Sequence, residues 1–212
     1  MSGTRPTGWR ALVLGVPLVL GLLELGHPGV MPGTPIAATL APIATWWTVL
    51  HVAQVPLFAL LGLSVWLLVR DLDGRAARIS RGAVAVFAVI YPAFDAAVGV
   101  GSGVVLSALG PLSADGMAAI EPALRALFWG PVTGMMAIVG GGAWVVALLA
   151  AAWAWRGAGA PWPIVALLAA SGLLLGFSHI RPFGPLACGA LLVAAAWIES
   201  AGARRRAAPR PA

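Results

Sequence analysis

Long apolar runs are the feature of this sequence that most limits its fold. Hydrophobic residues make up 60% of the 212 residues, charged residues only 9%, and the mean hydropathy is +0.95. A soluble domain carries roughly a quarter charged residues, so this chain lacks the charge to cover a water-facing surface. Runs of about 20 apolar residues cross a bilayer as helices, because lipid offers the backbone no hydrogen-bond partner. The composition therefore predicts an integral membrane protein.

Six such runs predict an all-α fold, a polytopic membrane bundle of six transmembrane helices. The predicted spans cover residues 9–25, 46–69, 82–109, 127–155, 162–180 and 185–198. Residues 30–42 contain several prolines and no charge, which predicts an outer loop, and residues 110–125 predict a short helix on the outer surface. No internal repeat is found. We expect a single domain over residues 1–200, followed by a basic cytoplasmic tail over residues 201–212.

The positions of the arginines predict the orientation of the bundle. All 13 basic residues are Arg, and 11 of them flank the apolar runs at alternate ends, against two in the other connections. Short Arg-rich loops stay in the cytoplasm during insertion, so both termini are predicted to be cytoplasmic. The 11 are Arg5, Arg10, Arg70, Arg75, Arg78, Arg81, Arg156, Arg204, Arg205, Arg206 and Arg210, and the other two are Arg125 and Arg181.

The charge pattern also indicates the surroundings of the protein. The net charge of +6 comes from these arginines, which favours anionic lipid headgroups of the bilayer over nucleic acid as the partner. A chain with Arg but no Lys, and with much Ala, Gly and Val, is typical of a high-GC bacterium. We therefore predict a multi-pass protein of the bacterial cytoplasmic (inner) membrane. The single cysteine, Cys188, has no second cysteine for a disulfide.

The predicted orientation places all three histidines near the outer ends of different spans. Glu24 precedes His27 by three residues, so the two share a face if both are helical. Together with His51 and His179 they supply one carboxylate and three imidazoles, a ligand set that suits Zn, Cu or Fe. One alternative is a haem with two of the histidines as axial ligands. Another is that these side chains only form polar contacts at helix ends.

Asp95 is the ionisable residue predicted to lie deepest in the membrane. It falls near the middle of the third span, Tyr91 lies one turn before it, and no Arg or Lys of a span is available to pair with it. Ionisable side chains at this depth are costly and usually functional. Three roles are open: a proton relay, a cation-binding carboxylate, and a partner that orients a histidine. Gln54, three residues after His51, is a further polar side chain at the depth of the histidines.

Glycines on the third and fourth spans indicate close contact between helices, because they let backbones approach. They are Gly99, Gly101, Gly103, Gly134, Gly140, Gly141 and Gly142.

Residues 101–103, Gly-Ser-Gly, together with His179 resemble the nucleophile motif and the histidine of rhomboid proteases, which are six-helix intramembrane serine hydrolases. The sequence departs from that pattern, because Val100 stands at the first glycine position and the two residues lie on the third and fifth spans rather than the fourth and sixth. The resemblance requires a hydrogen bond between Ser102 and His179.

The overall layout resembles six-span integral membrane proteins of high-GC bacteria to which no function is assigned. The stretches that carry the resemblance are WWTVLHVAQ at residues 46–54, YPAFD at 91–95 and HIRPFGP at 179–185. The resemblance covers most of the chain and implies the fold but no activity.

Three classes of function follow from these residues. The first is a membrane protein with an outward-facing His/Glu site that binds a metal ion or haem. The second is a small proton- or cation-coupled transporter that uses Asp95. The third is an accessory subunit that packs against a membrane-protein partner or forms a homo-oligomer. The sequence predicts no particular reaction or substrate.

Overall fold

Helices account for most of the chain in a computed structural model that describes residues 7–30 and 33–207, and no strand occurs in those ranges. Residues 41–43 form a 3₁₀ turn between α2 and α3, and residues 96–100 form a π-helical segment between α4 and α5. Arg5, Pro32 and Arg210 lie outside the described residues, as do the last five residues of the predicted tail. The helices are α1 (Thr7–Leu25), α2 (Ile36–Leu40), α3 (Ala44–Val69), α4 (Arg75–Asp95), α5 (Gly101–Leu109), α6 (Ala114–Trp129), α7 (Pro131–Gly157), α8 (Trp162–Phe177) and α9 (Phe183–Ala207).

Five helical segments of the described chain are long and apolar enough to cross a membrane. They contain α1, α2 with α3, α4 with α5, α6 with α7, and α9. The helix α8 is apolar but has only 16 residues, fewer than the roughly 20 that cross a bilayer without tilt or thinning. The apolar helices indicate a membrane protein, and each of the six predicted spans coincides with a helix. The first seven residues of the predicted tail continue α9.

The long helices pack in a closed ring. Each of the six contacts two neighbours in the order α1, α3, α4, α7, α8 and α9, and α9 returns to α1. The connections after α3, α7 and α8 have five residues or fewer, so the helices that they join are antiparallel. One end of the bundle holds the turns with Arg70, Arg75 and Arg156, and we call it the arginine end. The opposite end holds the connections that follow α1 and α8, and we call it the histidine end.

Two apolar clusters fill the interior. The larger lies inside the ring, and its fully buried side chains include Phe58, Phe87 and Trp144. The smaller joins α2, α3, the π-helical segment, α5 and α6 around Trp47 and Phe128. Tyr91 belongs to the first cluster, and Val98, two turns later, belongs to the second. The polar residues of interest lie between these two clusters.

The predicted surface helix is present and is longer than expected. It begins at Ala114 and continues past Arg125 to Trp129, since Gly130 is extended and Pro131 starts α7. The predicted fourth span, which began at residue 127, is therefore wrong at its start. Glu121 of this helix accepts hydrogen bonds from the backbone N–H groups of Ile36 and Ala37, at 3.0 and 2.9 Å. These bonds attach α6 to the start of α2, a short helix within the predicted loop.

Two helices are each followed by a histidine: α1, which ends where the sequence predicts, and α8, which ends three residues earlier than predicted. The helix α1 ends at Leu25, so His27 lies in the connection rather than on a helical face shared with Glu24. A residue that precedes proline disfavours the helical conformation, and Pro28 follows His27. The helix α8 ends at Phe177, and His179 lies in the connection to α9. The positions of both imidazoles are therefore set by the connections and not by the helices, and both rings lie against the bundle.

Candidate metal centre

Three imidazoles from three separate parts of the chain meet at one place. His27 follows α1, His51 lies on α3, and His179 lies between α8 and α9. One ring nitrogen of each lies within 4.8 Å of the other two. The Nε2 atoms of His27 and His179 are 3.3 Å apart. The structure therefore brings together all three histidines of the chain, and we call them the histidine cluster.

Backbone carbonyls hold two of these rings in the same tautomer. His27 Nδ1 lies 2.7 Å from the carbonyl oxygen of Pro28, and His51 Nδ1 lies 2.7 Å from that of Trp47. A carbonyl oxygen only accepts, so each Nδ1 carries a proton and donates it. The Nε2 atom of each ring then keeps a lone pair, which is the arrangement found in metal-binding histidines.

A side chain holds the third ring. The Nδ1 atom of His179 lies 2.9 Å from the hydroxyl oxygen of Tyr91. Because His27 Nε2 carries no proton, the 3.3 Å contact between the two Nε2 atoms requires His179 to donate, and its Nδ1 accepts from Tyr91. With a metal ion on Nε2, the proton would lie on Nδ1 and be donated to Tyr91. The hydroxyl suits both states, because it can donate and accept.

Burial keeps the two histidines outside the helices neutral. Loss of water is the larger cause, and the nearby His51 a smaller one, that together lower the pKa of His27 to about 3. Loss of water also lowers the pKa of His179 well below its usual value, and His27 and His51 add to the effect. A neutral imidazole is the form that binds metal ions. Near neutral pH these two rings are therefore uncharged and able to bind a metal ion.

A carboxylate lies beside the cluster. The Oδ1 atom of Asp95 is 3.9 Å from His51 Nε2, the residue is 2% exposed, and its Oδ2 has no hydrogen-bond partner among the described residues. The sequence left Asp95 alone at mid-membrane. The structure places it next to a histidine because α3 and α4 run side by side and His51 lies almost two turns inside α3. A role for Asp95 at the histidines is the one of its three predicted roles that this placement favours.

The fourth predicted metal ligand makes a different contact. Gln54 Nε2 donates to Glu24 Oε1 at 2.5 Å, and both side chains are buried. The other oxygens of this pair, Glu24 Oε2 and Gln54 Oε1, have no hydrogen-bond partner within the described ranges. The structure thus brings together three of the four predicted ligands and joins the fourth to Gln54.

The π-helical segment provides the space for His51. A Cβ atom on Gly99 would overlap the imidazole ring of His51, so only glycine fits at this position. Trp47 lies one turn before His51 and supplies the carbonyl that holds its ring. The two rings pack at a tilt of 44°, with 4.1 Å between their centroids. The sequence indicated Gly99 as a site of close contact between helices, but the contact between Trp47 and His51 was not predicted. The four-residue spacing between Trp47 and His51 was the sequence signal for their contact. The contact between Gly99 and His51 depends on how the helices pack.

A cavity of about 420 Å³ adjoins the histidine cluster. Its polar lining includes the three histidines, Tyr91, Asp95 and Ser178, and the rest is largely apolar, with Phe94, Val98 and Phe128 among the lining residues. Two lining side chains lie partly at the protein surface, since Phe177 is 76% exposed and Trp129 50% exposed. The cavity therefore reaches side chains at the surface, and we call the part next to Phe177 and Trp129 its mouth.

The contacts of Ser102 do not match those of a rhomboid nucleophile. Its hydroxyl accepts a hydrogen bond from Trp47 Nε1 at 3.0 Å and donates one to the carbonyl of Gly99 at 3.2 Å. The ring nitrogens of His179 instead contact Tyr91 and His27. Ser102 therefore supports Trp47, and the serine–histidine pair that the resemblance requires is not formed.

Comparison of the chain with models of known protein families, with curated proteins and with solved structures gives no match. The resemblance to six-span proteins of high-GC bacteria stays a prediction. The functional argument therefore depends on the geometry of the site.

Proposed function

We propose that this membrane protein binds one divalent transition-metal ion, zinc or a chemically similar ion, through His27, His51 and His179. The observation that carries the proposal is the convergence of one ring nitrogen from each histidine within 4.8 Å. These are all the histidines that the chain has, and they come from three distant segments. Three histidines with a fourth position left for water or substrate are a common ligand set of catalytic zinc.

The distance between two of the ring nitrogens supports this proposal. Two ligands of a tetrahedral zinc ion, each about 2.0–2.1 Å from the metal, lie about 3.4 Å apart. The Nε2 atoms of His27 and His179 are 3.3 Å apart. A small shift of His51 would complete the triangle. The carbonyls of Pro28 and Trp47 already orient two of the rings, which is how proteins orient metal-binding imidazoles.

The charges around the site also support a divalent cation. A buried ion is costly unless opposite charges balance it. Asp95 lies beside His51, and Glu24 is buried on the helix that leads to His27, so each of these acids can balance the ion by releasing its proton when the ion binds. Neither Lys nor Arg occurs among the described residues that line the cavity. Asp95 is also placed to accept a hydrogen bond from a water bound to the ion.

The contacts between the rings favour a single ion over a haem. The centroid of the His27 ring is 5.1 Å from that of His51 and 4.9 Å from that of His179, and both pairs meet edge to face. Rings at this distance touch each other, so a macrocycle does not fit between the rings of either pair. Axial ligands of a haem lie on opposite sides of the macrocycle.

The interior of the bundle favours a bound ion over a transport path. Between the histidine cluster and the arginine end, Phe58, Phe87 and Trp144 are fully buried and pack with the rest of the larger apolar cluster. A proton or cation would need polar groups or water along such a path. The geometry therefore supports a site that opens at one end.

Metal analysis of purified protein tests the proposal. The protein should carry a tag without histidine and be assayed for bound metal after loading with zinc and removal of the excess. We expect about one ion per chain, and loss of that ion in His27→Ala, His51→Ala and His179→Ala. The control Asp115→Asn removes an exposed carboxylate that does not line the cavity, and this variant should keep the ion. Full metal content in the three alanine variants would overturn the proposal.

We further propose six spans in a bacterial inner membrane, with the arginine end in the cytoplasm. The Arg asymmetry supports this orientation. In a Cys188→Ala background, cysteine placed at the exposed position Ala114 should react with an impermeant maleimide added to intact cells. Cysteine at the exposed position Ala158 should react only after the membrane is opened. The reverse pattern would overturn the orientation.

A further inference from the structure

We infer that the cavity beside the histidine cluster binds an amphiphile, a molecule with a metal-binding headgroup and an apolar chain that enters from the lipid phase. The inference rests on the proposed metal site and adds the class of ligand. The polar groups of the cavity and its apolar wall occupy separate parts of it, and the mouth is apolar.

The separation of polar and apolar lining defines the shape of the ligand. His27, His51, His179 and Asp95 stand together, Tyr91 contacts His179 and Ser178 precedes it in the chain, so the polar side chains of the lining gather around the histidine cluster. The remaining wall includes Phe94, Val98 and Phe128, which bury apolar surface. A volume of about 420 Å³ lies in the range of roughly 300–1,000 Å³ that small-molecule pockets have. A metal-bound water alone would leave most of this space unused.

The mouth indicates where the ligand comes from. Phe177 and Trp129 line it and are 76% and 50% exposed. Ile138, next to the lining residue Ala137 on α7, is 71% exposed. Phe177 and Ile138 lie on α8 and α7, two of the proposed spans, where exposed apolar side chains face lipid, and an exposed Trp is typical of the membrane boundary. A lipid-facing mouth admits apolar chains from the bilayer.

Hydroxamates of two chain lengths test this inference, because the hydroxamate group binds metal ions and the chain can be varied. The protein is loaded with cobalt, whose visible spectrum reports its ligands, and acetohydroxamate is compared with hexanohydroxamate. Free aqueous ligand is measured by equilibrium dialysis, so that uptake by detergent or lipid is not counted as binding. A fully buried methylene strengthens binding about fourfold. We expect the longer ligand, with four more methylenes, to bind at least tenfold more tightly.

A matched pair of variants links the chain-length effect to this cavity. Ala137→Phe fills part of the cavity and should reduce the difference between the two ligands to less than threefold, while acetohydroxamate still binds. Ile138→Phe adds an aromatic ring at the neighbouring, outward-facing position and should keep the tenfold difference.

Two results would overturn the inference in different ways. Equal affinity for both hydroxamates in the cobalt-loaded protein would reject the apolar subsite and leave the metal site standing. Failure of the protein to bind cobalt, zinc or another divalent ion would reject the proposed function and the inference with it.

Discussion

At the scale of single residues, the site depends on what holds the second nitrogen of each imidazole. Two rings are held by backbone carbonyls, which donate nothing and fix the proton on Nδ1. His179 is held by the hydroxyl of Tyr91, which changes from donor to acceptor when the ring binds a metal ion. Tyr91 is therefore a positioning residue, and its hydroxyl can be removed without altering any backbone group.

Tyr91→Phe tests this positioning role. The variant keeps the ring that packs against Phe58 and Phe87 and removes only the partner of His179. Loss of such a partner typically weakens metal affinity 10–100-fold, and we expect a decrease in this range by competition with a chelator of known affinity. Ser80→Ala is the control, because it removes a buried hydroxyl from the same helix, where the serine bonds the carbonyl of Ala147. Equal metal affinity of Tyr91→Phe and the unchanged protein would contradict the role of Tyr91.

At the scale of helices, the site depends on a local departure from α-helical geometry. The segment from Ala96 to Val100 is π-helical and directly follows Asp95. Such segments are rare and occur often at functional sites. Here Gly99 faces the ring of His51 with no room for a Cβ atom, so the segment sets how closely α3 approaches the α4–α5 unit.

Gly99→Ala tests the contribution of this segment. The added methyl group would displace the His51 ring, and overpacking of this kind costs about 1–3 kcal/mol of stability. We expect at least a tenfold loss of metal affinity together with a lower unfolding temperature. Gly142→Ala on α7 is the matched control, since no atom lies within 4 Å of its new Cβ and alanine favours a helix over glycine. The account of the segment fails if Gly99→Ala binds metal as tightly as Gly142→Ala does.

The helices also show how far the sequence could predict the structure. The apolar runs predicted the positions of the long helices, because an apolar segment in lipid must satisfy its own backbone hydrogen bonds and a helix does so. The ends were less predictable: α1 ends at Leu25 as predicted, but α8 ends at Phe177, so His179 lies in a connection and not on the predicted span. The position of His51 next to Asp95 could also not be predicted from the sequence. It depends on the register of α3 against α4, which no single span encodes.

At the scale of the whole molecule, the ring of six helices explains why the site lies where it does. The larger apolar cluster fills the ring toward the arginine end, and the smaller cluster closes the histidine end beneath α2 and α6. The polar residues lie between them, on segments that come from both ends of the sequence. The contact of α1 with α9 closes the ring and holds His27 next to His179.

The measurement that tests the central claim most directly is X-ray absorption of the zinc-loaded protein. Its ligand shell reports the number and type of atoms bound to the metal and their distances. We predict three imidazole nitrogens at about 2.0–2.1 Å, with one oxygen or nitrogen completing the shell. A shell of oxygens alone, or one that contains the sulfur of Cys188, would contradict the account, as would a spectrum unchanged by replacing all three histidines with alanine.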